Sequence, residues 1–219
     1  TEQKQEIKDQ QSQLNQTKRV TAPALEEILY EAIEITDKHK ASGLVVYNEA
    51  MNFSAGADLK EKNEPKSYLE LWRNNYGKPA IESILNVDQI TIAAVNGYCL
   101  GGAACIASAC DFRIASKKAI LGYPEINLGI NLNWLGLPLA VRLIGPAKAK
   151  KMVISGENED ADTLLSWGFY DEICEPEMLM EQAFSMARLY SSKSPLAAQM
   201  IKRSVNNLVY KNDESVMHM

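Results

Sequence analysis

Histidine is almost missing from this 219-residue chain, which carries two. His39 lies at the polar end of a predicted helix and His218 in the last residues. That scarcity argues against a His-dependent nucleophilic triad and against a zinc site. Cysteine is scarce too: Cys99, Cys105, Cys110 and Cys174 lack metal-ligand spacing, and three of them sit in or beside one Ala-rich stretch. They read as reduced core residues of a cytoplasmic protein, and no metal is expected. No apolar run reaches the roughly 18 residues that would cross a membrane, and no signal-peptide core is read at the start of the chain, so no membrane partner is expected. Basic blocks are lacking as well. With 23 Lys and Arg against 28 Asp and Glu, the net charge is −5, a balance that speaks against nucleic acid as a partner.

What remains is 46% hydrophobic and 23% charged, enough for one sizeable α/β core. Residues 1–20 form a polar, Gln-, Lys- and Glu-rich N-terminal tail, and 21–219 read as the folded domain. Residues 24–40 carry helical periodicity, with Leu25, Ile28, Leu29, Ala32 and Ile33 on one face behind Pro23. Strands are predicted near 43–47, 90–95, 111–115 and 119–122. Helices are predicted near 66–85, 101–109, 134–144, 147–155, 161–167, 177–192 and 195–210, with Pro146, Pro176 and Pro195 as starts for three of them.

The stretch from Ile90 to Glu125 holds the densest signal. The β-branched run Ile90 to Val95 reads as a buried strand, broken by Asn96-Gly97. Gly101-Gly102 then opens a helix of small residues. The first N–H groups of a helix lack intrahelical partners, so they can bind developing negative charge; close helix–sheet packing is the simpler use of such a glycine pair. A second strand, Gly43 to Tyr47, leads to Asn52-Phe53-Ser54-Ala55-Gly56-Ala57-Asp58-Leu59-Lys60, another turn of small residues with a charged flank.

Four segments, FSAGADLKE (Phe53 to Glu61), AAVNGYCLGGA (Ala93 to Ala103), CDFRIAS (Cys110 to Ser116) and PEINLGI (Pro124 to Ile130), occur in this order. Together they resemble the successive signatures of the crotonase superfamily, the enoyl-CoA hydratases and isomerases. The resemblance continues to about Tyr210. It implies an α/β, crotonase-like spiral of repeated β-β-α units with C-terminal helices, shortened here at both ends. It further implies an acyl-CoA thioester substrate, no cofactor beyond the coenzyme A carried by that substrate, and a homotrimer or trimer-dimer hexamer. The thioester oxygen would be held by the N–H groups of Ala57 and Gly102, donors whose loss by analogy costs ~3 kcal/mol of transition-state stabilisation. Ala55, Asp58 and Leu59 would line the coenzyme A site, although a solvated loop flank also accounts for Asp58.

The acid and base inventory selects among family reactions. Hydratases of this family place two glutamates around the water they add. The second is Glu125 here, whereas the first falls on Cys105. Between Gly97 and Gly145 the only carboxylates are Asp111 and Glu125, and Asp111, at the entry to a strand, reads as a cap or turn residue. Cysteine in an Ala-rich helix is normally inert. One carboxylate still suffices to shift a double bond, taking a proton from C2 of a 3-enoyl thioester and returning it at C4. The expectation is therefore an isomerase with Glu125 as its acid and base. Hydration of a 2-enoyl thioester and a non-catalytic binding or assembly subunit are the alternatives. Tyr123 and the stretch Gly129 to Trp134 depart from the hydratase pattern; Tyr123, Asn131, Asn133 and Trp134 are candidates for the acyl pocket, with a core role open for Trp134.

Overall fold

The computed structural model describes residues 43–48, 51–56 and 77–210. The predicted helix at 24–40 and the residues Ala57, Asp58 and Leu59 lie outside them.

Four parallel strands form the main sheet in the order β1 (Gly43–Val46), β2 (Ile90–Val95), β4 (Phe112–Ser116) and β7 (Glu172–Cys174). A smaller sheet contains β3 (Tyr98–Leu100) and β5 (Ile120–Gly122), which are parallel, and β6 (Glu159–Asp160), antiparallel to β5. Each turn of the chain places one strand in each sheet and closes with a helix: β2, β3, then α2 (Gly102–Ala109); β4, β5, then α3 (Gly136–Ser155). The first turn follows the same course, from β1 through a bridge of Ser54 to Cys99 to α1 (Gly77–Asn86). This is the expected β-β-α spiral.

Alternation along the strands explains why the main sheet is covered on both faces. Ala93, Val95 and Ala115 face the large core with α1, α2 and α3, while Ile92, Ala94 and Ile114 face the other way. There α5 (Leu179–Ser191) covers them with Leu179 and Ala183, and Phe112 stacks on Tyr190 with centroids 4.6 Å apart. The remaining helices are α4 (Ala161–Trp167) and α6 (Pro195–Tyr210), at the bounds read from sequence.

Two expectations need correction. The helices read at 134–144 and 147–155 are both present, labelled together as α3 and parted at Gly145, whose φ of 79 and ψ of 161 are not helical, ahead of Pro146. That element starts at Gly136 rather than 134, because Trp134 and Leu135 have left-handed backbones, φ 52 and 57. The helix read at 177–192 is preceded by a 3-10 turn at Pro176–Met178.

Polar side chains are buried where they hold elements together. Lys202 of α6 reaches under the sheet to donate to the Gln89 carbonyl and to Asp111 Oδ2, each at 2.7 Å. The same Asp111 oxygen accepts from Thr91 N at 2.8 Å and Thr91 Oγ1 at 2.9 Å, the structural role anticipated for it. Arg113, also buried, spends its guanidinium on the carbonyls of Phe169, Cys110 and Asp111.

Candidate active site

Strand ends bring the predicted residues together. β3 stops at Leu100 and the chain turns through Gly101, whose φ of 61 suits glycine. Gly101 caps α2, and Gly102 is the first helical residue, so its N–H lies at the free helix start. Alongside, the loop of Ser54 to Gly56 is tied to β3 by Ser54 N to Tyr98 O (2.9 Å) and Leu100 N to Ser54 O (3.0 Å). A Cβ on Gly56 would sit 3.3 Å from the Leu100 carbonyl. The chain leading to Ala57 is thus pressed against the glycine turn, and Ala55 is exposed at its edge.

Glu125 reaches this turn from the other strand of the small sheet. After β5, Pro124–Leu128 form a 3-10 helix with Glu125 in its first turn, not the exposed strand end that a Pro-Glu pair suggests by itself. Its Oε1 would lie 3.1 Å from a Cβ placed on Gly101. Its Oε2 is buried with no hydrogen-bond partner. Burial pushes the carboxyl above the ordinary value of 4.5, offset in part by a backbone hydrogen bond. A half-buried carboxylate with one oxygen unpartnered, beside a free helix start, is suited to taking and returning a proton.

Cys105, one turn into α2, is buried with its sulfur directed at α3: a Cβ on Gly136 would be 2.6 Å from Sγ. Burial first and the neighbouring Glu125 charge second push its thiol well up, so it stays neutral and holds no charge for water activation. Tyr123, expected in the acyl pocket, is instead a core residue. It is fully buried, its hydroxyl 2.7 Å from Ser108 Oγ, and burial raises its pKa. Its place is behind the Glu125 turn, where it fixes the course of the chain. Asn133 is half-buried, and its carbonyl accepts from Gly136 N at 2.9 Å.

Trp134 lies directly on the glycine turn. A Cβ on Gly102 would run into its ring at Cζ3, and a Cβ on Gly77, at the start of α1, would run into Cε2 and Cδ2. Two successive non-glycine residues in the left-handed region cost roughly 1–2 kcal/mol each, and buried Leu135 holds that conformation. Sequence reasoning missed Gly77; a glycine between two helix-forming stretches was the available signal. It also missed the support behind Glu125. Gly156, at the end of α3, meets Ile126 Cγ2 at 2.7 Å and Asn127 Nδ2 at 2.8 Å from its Cβ position, and Gly122 is packed on Asn158. Among the described residues no group of His, Cys, Asp and Glu could hold a metal ion, and no helix is long and apolar enough to cross a membrane.

A spiral of β-β-α turns with a helix start and a carboxylate at its strand ends is the crotonase fold. Residues 15–219 match the enoyl-CoA hydratase/isomerase family model, and the chain belongs to that family. A short-chain-enoyl-CoA hydratase of Clostridium acetobutylicum is 35% identical over 155 residues, 71% of this chain and 59% of that protein. The chain therefore spans about three-fifths of that relative's length. A mitochondrial enoyl-CoA hydratase of Pongo abelii is 32% identical over 197 residues, 89% of this chain and 67% of the relative. The crystal structure of an enoyl-CoA hydratase from Bacillus anthracis superposes with a TM-score of 0.79 at 28% identity, over 86% of this chain and 73% of that one.

Proposed function

We propose that the protein moves a double bond in an acyl-CoA thioester, converting a 3-enoyl to a 2-enoyl group with Glu125 as the single acid and base. In this reading the thioester oxygen is held by the Gly102 N–H, with Ala57 supplying the second donor on the strength of the family resemblance. Glu125 removes a proton from C2, the electron pair spreads over the dienolate whose negative oxygen the donors hold, and the same carboxyl returns the proton at C4. The observation that carries it is the Glu125 carboxylate: Oε2 buried and unpartnered, Oε1 beside Gly101. Cys105, which takes the place of the first hydratase glutamate, is neutral and packed toward Gly136, so it does not orient water. Asp111 is committed to Thr91 and Lys202.

Hydration is the second reading, favoured by the relatives named enoyl-CoA hydratases. In either reading the substrate is an acyl-CoA thioester. Exposed Leu196, Met200, Ile201 and Leu208 on α6 support the homo-oligomer, and four free cysteines support a reducing compartment such as the cytoplasm.

The test compares matched 3-enoyl- and 2-enoyl-CoA substrates with wild type and Glu125→Gln. Isomerisation without hydration, reduced about 10²–10⁴-fold in the variant, is expected. Hydration dependent on Glu125 would replace the isomerase by the hydratase. Binding without turnover of either substrate would leave a non-catalytic acyl-CoA-binding subunit.

A further inference from the structure

We propose that Trp134 sets the acyl-chain length the site accepts, as a fixed wall just beyond the reacting carbons. The inference rests on the acyl-CoA reading above.

A thioester oxygen held by the Gly102 N–H brings the first acyl carbons within van der Waals reach of Gly101 and Gly102. Glu125 stands over Gly101. The benzo edge of the Trp134 indole stands over Gly102, with Cζ3, Cε3 and Cη2 nearest to where a side chain would begin, and its pyrrole edge rests on Gly77. The ring therefore fills the space that two adjoining glycines leave open. Carboxylate and indole occupy neighbouring positions of one turn, so a chain whose C2 faces the carboxylate has the indole next along its path.

The wall is also stiff. Both surfaces against the ring are backbone and cannot rotate away. On the Trp134 side, its left-handed residue is followed by Leu135, also left-handed and buried, and then by Gly136, seated on Cys105 and Leu132. Swinging the indole aside would require re-forming this whole junction at the start of α3. A short acyl group meets the ring; a long one has to displace it.

The experiment measures kcat/KM for 3-enoyl-CoA and 2-enoyl-CoA substrates of four to ten acyl carbons, and the Kd of saturated butyryl- to decanoyl-CoA by calorimetry, in wild type, Trp134→Ala and Trp134→Phe. Wild type is expected to prefer four carbons over eight. In Trp134→Ala the eight-to-four-carbon selectivity ratio should rise at least about tenfold, the scale on which pocket volume discriminates methylene groups, with a smaller rise in Trp134→Phe. The Kd series reports the same shift without needing turnover, and the phenylalanine variant carries the test if the alanine variant does not fold. A wild-type preference for eight or more carbons, or an unchanged selectivity ratio in a folded variant, overturns the proposal while leaving the acyl-CoA reading intact. Failure of wild type to bind any acyl-CoA overturns both.

Discussion

Replacing Lys202 by methionine tests the anchor that fastens α6 beneath the sheet. Methionine retains the length of the stem and deletes the ammonium that donates at 2.7 Å both to the Gln89 carbonyl and to Asp111 Oδ2. Lys202 is 6% exposed, so water does not readily replace what is lost. Breaking a buried pair from one side costs about 3–5 kcal/mol, because the remaining charge stays behind. Asp111 retains its two bonds from Thr91 and its side chain is 18% exposed, which places the expected loss near the lower end, about 3 kcal/mol. With a urea dependence of about 2 kcal/mol/M, the unfolding midpoint should fall by about 1.5 M. Lys202→Met with Asp111→Asn should recover part of the loss, since the stranded charge is then gone. Thr91 is the second residue of β2 and Asp111 leads into β4, at the opposite strand ends from Glu125, so turnover per folded molecule should stay near wild type. A midpoint shift smaller than about 0.5 M, on the same urea dependence, would refute the assignment of this pair as the anchor.

The Glu125 carboxyl is held above 4.5 by burial, so the base form appears only as pH climbs through that raised value. The acid limb of kcat/KM, which reports the free enzyme, should accordingly lie above the ordinary glutamate range, and a limb below it would contradict the assignment of Glu125 as base. The same sign applies to stability: the contribution of a raised carboxyl is present below its unfolded pKa and is lost as pH rises through the folded one. Glu125→Gln should therefore gain stability relative to wild type as pH rises above the ordinary glutamate value, and keep that gain at neutral pH, as read by thermal unfolding. The cysteines offer an independent check, because all four are buried and free, and burial raises the thiols, Cys110 to about 12. Native protein should react slowly with a thiol reagent, at a rate that follows unfolding in urea, whereas rapid labelling of Cys105 would show an opening at α2.

Much of this architecture was legible because apolar periodicity and punctuation agreed. Ile90–Val95 is a pure β-branched and alanine run closed by Asn-Gly, and α4 and α6 start behind an Asp cap and at a proline. Strands β3, β6 and β7 escaped notice, since two or three residues carry no period. The site was legible as motif order, which brought Gly102 and Glu125 forward, but not as geometry. Tyr123 was misplaced because a departure from the hydratase pattern beside Glu125 suggests a pocket, and its partner, Ser108, lies on a helix formed earlier in the chain. The left-handed pair Trp134–Leu135 ran against the preference of bulky residues for other backbones. Its cause is tertiary: the indole is seated on two glycines from different elements.

Gly156 and Asn158 stand behind the turn that presents Glu125, though they follow it by a whole helix. Anyone who transplants Tyr123–Gly129 into another scaffold to borrow its carboxylate would receive only the front half of the part. The presenting loop and the end of α3 make a single exchangeable unit, and chimaeras of this family should cross over outside the stretch from Gly122 to Asn158 rather than within it.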